Sequence, residues 1–247
     1  MAKAVGLDTS GSEVVAVELD GSYKKPRMAK LSLEPRPAGG APQAVAEAAL
    51  RALKEGGIGR DGTRFGFPCR EAVLRTIDVP FEGRDAIRKV IKFEAEGSIH
   101  SHNVDDMVVD FHELSSSPGT TKVMVAAVPK APLREALESL DKVGVEAEIV
   151  DLDAMALHRV AAWYGAYGEL AAEEFEDAEA AEAAGAIQLA EGLDAAKAPA
   201  RLVVDVGERS IRILVVQAGH LIDMRALRFG SDGVAEEVAR EGGLGVD

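Results

Sequence analysis

The sequence predicts an α/β fold, and three observations predict it. Short runs rich in Val, Leu and Ile open the chain and recur near its far end, bounded by Asp, Gly or Ser. Segments with apolar residues three and four apart alternate with these runs. The composition, 47% hydrophobic and 28% charged, supplies a packed core and argues against global disorder. A chain of 247 residues has room for one large domain or two small ones.

Val5 to Asp20 reads as a β-hairpin, with Val5-Gly6-Leu7 entering the turn Asp8-Thr9-Ser10-Gly11-Ser12 and Val14 to Leu19 leaving it. Asp20-Gly21 is a second turn signal, and Arg27 to Leu33 is a third strand. Three Pro and two Gly make Pro35 to Pro42 a loop. Ala44 to Leu53 has helical spacing and stops at Gly56-Gly57. Arg64 to Phe67 and Glu71 to Val79 follow as strands. Pro80-Phe81 marks a change of character. Arg84 to Glu96 is an amphipathic helix, Met107 to Leu114 and Val123 to Val128 are strands joined by the loop Ser115 to Gly119, Leu133 to Val143 is a helix, and Glu146 to Leu152 is a strand. Asp153 to Tyr164 returns to helix. Glu173 to Asp194 carries eight acidic residues and no base, which suits a solvated helix or linker and not a core. Leu202 to Asp205, Ile211 to Gln217 and Leu221 to Leu227 are strands, and Ser231 to Glu241 begins a helix.

Charge narrows the function. With 28 Lys+Arg against 42 Asp+Glu, the net charge of −14 disfavours nucleic acid and anionic membrane surfaces. No apolar run approaches the ~20 residues that span a bilayer, and Met1 to Asp8 reads as strand with no signal peptide. A soluble, cytoplasmic chain is the expectation. The single cysteine, Cys69, excludes an internal disulfide and reads as buried packing.

Two Asp-containing hairpins form the main candidate site. Asp8 and Asp205 end apolar strands 197 positions apart, and each is followed by small or turn-forming residues before the chain folds back. Such turns expose backbone N–H groups that make a concave site for phosphate oxygens, and a strand-end aspartate can hold hydrated Mg²⁺. Turn capping by Asp is the competing reading. His100, Ser101 and His102 with Asp105 and Asp106 contain metal-ligand types but no zinc spacing, and read as a polar loop. Asp110 and His112 are expected on an exposed sheet face, and His158 on a helix as packing or surface. No catalytic residue is assigned.

Taken in order, Gly6 to Ser12, Ile91 to Glu96, Val108 to Phe111, Val125 to Pro129, Gly144 to Leu157 and Leu202 to Gly207 together resemble the PilM family of actin-like type IV pilus assembly proteins. Gly6 to Ser12 followed by Ala16 to Leu19 is similar to the family's first phosphate hairpin, and Leu202 to Gly207 to its second. Arg225 with Phe229-Gly230-Ser231 resembles the stretch that follows. Ile91 to Glu96, Val108 to Phe111 and Val125 to Pro129 resemble the inserted subdomain, and Gly144 to Leu157 the strand-to-helix return. The resemblance implies an actin-like (ribonuclease H-like) ATPase fold: a first lobe over 1–79, an inserted α/β subdomain over 80–148, a return to the first lobe over 149–172, an acidic linker or helix over 173–200, and the start of an incomplete second lobe over 201–247. It implies ATP with Mg, with Asp8, Thr9, Ser10, Gly11, Ser12, Asp205, Gly207 and Ser210 at the phosphates and Asp8 and Asp205 at the metal. It also implies a cytoplasmic scaffold held at the inner membrane by the short cytoplasmic tail of a PilN-like partner, without membrane insertion of its own and with self-association open. The cytoplasmic domain of GspL, from the type II secretion platform, is the alternative. Against the family pattern, Ser10 stands where glycine is usual, Gly11 comes one place late, and Val15 replaces a lysine. Glu208, Arg209 and Arg212 occupy places normally small or hydroxylated; an acidic Glu208 would repel phosphate and Arg209 would partly compensate.

Overall fold

The computed structural model describes residues 3–22, 25–100, 102–163, 200–217 and 220–242. The acidic stretch 173–194 lies outside the described residues.

Strands β1 (Ala4–Asp8), β2 (Glu13–Ser22) and β3 (Lys25–Pro35) form an antiparallel meander. Alternation puts Val5 and Leu7 of β1 and Val14 and Ala16 of β2 inward. Helix α1 (Pro42–Glu55) covers that face with Val45, Ala46, Ala48, Ala49, Ala52 and Leu53, whose small side chains let the helix approach the sheet closely. Proline at its start and Gly57 in the left-handed region (φ 60°) at its end bound the helix, and the Ile58 N–H returns to the Leu53 carbonyl at 2.8 Å. β4 (Thr63–Phe67) and β8 (Ala147–Leu152) add to β1 in parallel, giving sheet order β3-β2-β1-β4-β8.

Between β4 and β8 the chain builds a second sheet. A 3-10 turn, Cys69–Glu71, leads into β5 (Val73–Val79), then come α2 (Arg84–Glu96), β6 (Met107–Ser117), β7 (Thr120–Pro129) and α3 (Lys130–Lys142). The order is β5-β7-β6, all antiparallel. Its first strand precedes Pro80, so the pairing of this sheet starts at Val73. One face packs under α2 through Val79, Ile87, Ile91, Phe111, Val123 and Val125. The other face contributes Leu74 and Met124, with Leu114, Ala126 and Val128 behind them, to the core shared with the first sheet. Apolar packing on both faces makes the inserted unit part of the body.

Helix α4 (Asp153–Trp163) follows β8 directly. The third sheet, order β11-β10-β9, consists of β9 (Ala200–Val206), β10 (Ile211–Gln217) and β11 (His220–Leu227), and α5 (Ser231–Gly242) follows it. Leu214, Val216, Leu221 and Met224 join the shared core.

Three expectations change. Asp20-Gly21 is not a turn: β2 continues to Ser22, because Asp20 lies opposite Arg27 on β3 and accepts from its Nε at 3.0 Å and Nη2 at 2.9 Å, while Gly21 takes φ 105°. The loop expected over 115–119 is a tight turn at Pro118-Gly119, since Gly119 supplies a positive φ of 79° and both strands pair up to it. The face of β6 that carries Val108 and Asp110 is exposed, but α4 covers it at His112. Its ring meets that of His158 on α4 edge-on at 6.1 Å between centroids; His158 is buried and His112 half-buried. Burial, with the charges of Arg159 and Arg84, holds His112 down at about 4. Burial, followed by His112 and Arg159, does the same to His158, also to about 4.

This pair sets a pH dependence. Between about 6.5 and about 4 the unfolded chain binds protons on these rings that the folded chain does not, so stability falls as pH falls through that window, by up to about 1.4 kcal/mol per pH unit per ring. Urea midpoints at pH 7, 6 and 5 measure the slope, and the double variant His112→Gln/His158→Gln is expected to flatten it relative to the parent.

Candidate functional site

The turn between β1 and β2 is pinned from both sides. Asp8 Oδ1 accepts the Ser10 N–H at 2.8 Å, closing the turn on itself. The Thr9 and Ser10 carbonyls accept from Arg36 Nε at 3.1 Å and Arg70 Nη1 at 2.9 Å. Thr9 and Ser10 are buried and Ser12 is exposed. A Cβ at Gly11 would meet nothing closer than 3.8 Å, so space does not demand the glycine. Burial first, and then the charge of Arg209, lowers both Arg36 and Arg70, which marks a crowd of cations on this turn.

The turn between β9 and β10 is closed by the Gly207 N–H donating to the buried Ser210 carbonyl at 3.0 Å. The first amides of α5 cap the same turn: Ser231 N–H donates to the Gly207 carbonyl at 3.0 Å and Asp232 N–H to the Glu208 carbonyl at 3.1 Å. Gly230 is required there, because a Cβ would lie 2.2 Å from the Gly207 oxygen.

The two turns meet. The Ser12 N–H donates to Glu208 Oε2 at 3.0 Å across 196 positions of sequence. Arg212 on β10 donates from Nε to Asp205 Oδ2 at 2.6 Å, with Nη2 on the same oxygen, and from Nη1 to Asp153 Oδ2 at 3.0 Å. Asp153 begins α4, where the helix dipole favours an anion, and its Oδ1 accepts the Cys69 N–H at 2.8 Å. Burial raises Asp153 from the usual carboxylate range; the Arg212 guanidinium and the Cys69 amide oppose that, and the nearby Asp8 adds to it. Cys69 is fully buried, and burial with Asp153 pushes its thiol up to about 12, so it stays protonated and inert.

Each residue expected at the site therefore falls on one of two facing turns. Sequence reasoning missed Asp153 as a member, along with Arg36 and Arg70 as clamps. The available signal for Asp153 was an acid at the first position of a helix entered directly from an apolar strand. As arranged, the donor set does not fit Mg-nucleotide. Ser12 gives its amide to a carboxylate, Asp205 and Asp153 are engaged by a guanidinium, and Asp8 caps its own turn. Among the described residues no group of three or more His, Cys, Asp or Glu side chains could hold a metal ion. That includes the polar loop near His102, where Asp105 takes Lys92 Nζ at 2.6 Å.

The family model of the type IV pilus assembly protein PilM matches residues 6–247. The chain belongs to the PilM family. Among solved structures it is similar to a PilM-PilN type IV pilus biogenesis complex, with TM-score 0.72 and 22% identity over 98% of this chain and 66% of that one. The chain thus spans just under two thirds of that relative's length. It is also similar to the cytoplasmic domain of EpsL, an inner membrane component of the type II secretion system of Vibrio cholerae (TM-score 0.53, 12% identity, 92% of this chain and 71% of that one). A Bacteroides thetaiotaomicron protein of actin-like ATPase fold and unknown function matches at TM-score 0.50 and 8% identity, over 98% and 78% of the two chains. The fold is the actin-like ATPase fold, as the resemblance implied. No helix among the described residues is long and apolar enough to cross a membrane.

In this family member the ion cluster makes Asp153→Ala costly. The change leaves Arg212 and the Cys69 amide without their buried acceptor, with an expected loss of about 3–5 kcal/mol, while Asp153→Asn keeps an acceptor and costs less; urea unfolding compares them. Gly230→Ala is expected to lower the melting temperature by several degrees, since its methyl must displace backbone on the second turn.

Proposed function

We propose that the chain is a scaffold of type IV pilus assembly. It binds the short cytoplasmic tail of a PilN-like inner-membrane protein and is held at the membrane through that partner. Membership of the PilM family carries this reading, and it favours a pilus role over the GspL-like platform role. The first lobe and the inserted unit together offer a surface for an extended tail, received as an added strand or in pockets. The exposed apolar side chains Val108 on β6 and Val160 on α4 support that location. Val108 shares its strand face with His112, the residue α4 approaches at His158. We assign Asp8, Thr9, Ser10, Gly11, Ser12, Asp205, Gly207 and Ser210 to the turns that correspond to the family's phosphate hairpins, in a joining role and not a hydrolytic one.

The test is fluorescence anisotropy with a labelled peptide of the cytoplasmic tail of the PilN-like protein from the same genome. Saturable binding is expected, weakened at least tenfold by Val108→Asp with Val160→Asp at unchanged melting temperature. Absence of any tail binding, with capture of a secretion ATPase in its place, would turn the assignment toward the GspL-like role.

A further inference from the structure

The cluster between the two turns has a charge pattern that the scaffold role does not use. Arg212 sits between two carboxylates of different elements, Asp205 on β9 and Asp153 at the start of α4, and its side chain is 16% exposed against 3% for Asp153. Four residues before Arg212, Glu208 lays a carboxylate oxygen on the Ser12 amide, on the turn that Arg36, Arg70 and Arg209 surround with positive charge. A cation held by strand-end aspartates and an anion held by turn amides are the two halves of a Mg-phosphate group. Here both halves are side chains of one strand-turn-strand unit.

We propose that Arg212 and Glu208 form an internal substitute for Mg-phosphate, clasping the two turns together and closing the site to nucleotides. The physics is one of displacement. A divalent cation at Asp205 and Asp153 must expel the guanidinium, which leaves a half-buried positive charge beside the incoming one. A phosphate oxygen on Ser12 must expel the Glu208 carboxylate, and two anions then compete for one amide. The Arg212 ion pairs must break before a cation gains a contact, and the Glu208–Ser12 hydrogen bond before a phosphate does. The clasp also ties together the elements that a bound nucleotide would bridge: the β1–β2 turn, α4 and the third sheet.

Three measurements on the whole chain test this. Calorimetric titration and melting curves with Mg-ATP, and with Mg-tripolyphosphate to remove any dependence on adenosine contacts, are expected to show no saturable heat and no melting shift up to about 1 mM. Hydrogen exchange at the Ser12 amide is expected to quicken at least tenfold in Glu208→Ala, while amides within β1 keep their protection. Arg212→Gln is expected to lower the melting temperature by about 5 °C or more, as loss of a partner to two carboxylates should in a chain of this size. Binding of either Mg-phosphate compound to the unaltered chain with a Kd below about 100 μM, abolished by Asp8→Ala or Asp205→Ala, would overturn the proposal. So would unchanged Ser12 exchange in Glu208→Ala, a variant of an exposed-rim contact that does not depend on Arg212→Gln folding.

Discussion

A buried carboxylate has to be answered by donors, and Asp153 is the carboxylate on which the assembly of this chain turns. Its two oxygens take the Cys69 amide and the Arg212 guanidinium, so one side chain draws together the 3-10 turn after β4, the start of α4 and the strand β10. Burial raises the carboxyl, and the Arg212 guanidinium opposes that rise. Elements separated by 84 and 59 positions meet at this point. The first and third sheets are joined here through polar groups, in addition to the apolar core they share.

The inserted sheet is bound into the same body by a different force. Each of its faces buries apolar side chains, one under α2 and one against the common core, so it cannot swing as an appendage without exposing apolar surface. Helix α4 connects the two regions physically. It begins at Asp153 in the ion cluster and reaches His158, whose ring lies on His112 of the inserted sheet. A tail peptide bound beside β6 and α4 would therefore rest on the helix whose first residue anchors the clasp.

Much of the fold was legible because its signals are local. Alternation of period two in Val5, Leu7, Val14 and Ala16 marks strands with one inward face, and the alanine-rich spacing of Val45 to Leu53 marks a helix made for close packing. The turn Asp8 to Ser12 was legible for the same reason, since an Asp capping an amide two residues on is a local event. Asp20-Gly21 misled because its local turn preference loses to a cross-strand ion pair with Arg27. His112 misled because period two in β6 distinguishes faces but does not say that α4 meets the open face at that position.

The sequence by itself determined the α/β class, the order of the elements, the family likeness and the two turns that face each other. Each of these is written in spacing or in residue type within a few positions. The tertiary structure alone decided what the turns hold. Glu208 and Arg212 look like intrusions at a phosphate site when read along the chain, but in space they are the partners of Ser12, Asp205 and Asp153. A charge acquires its meaning from what lies within about 3 Å of it, and those neighbours are set by packing across the chain.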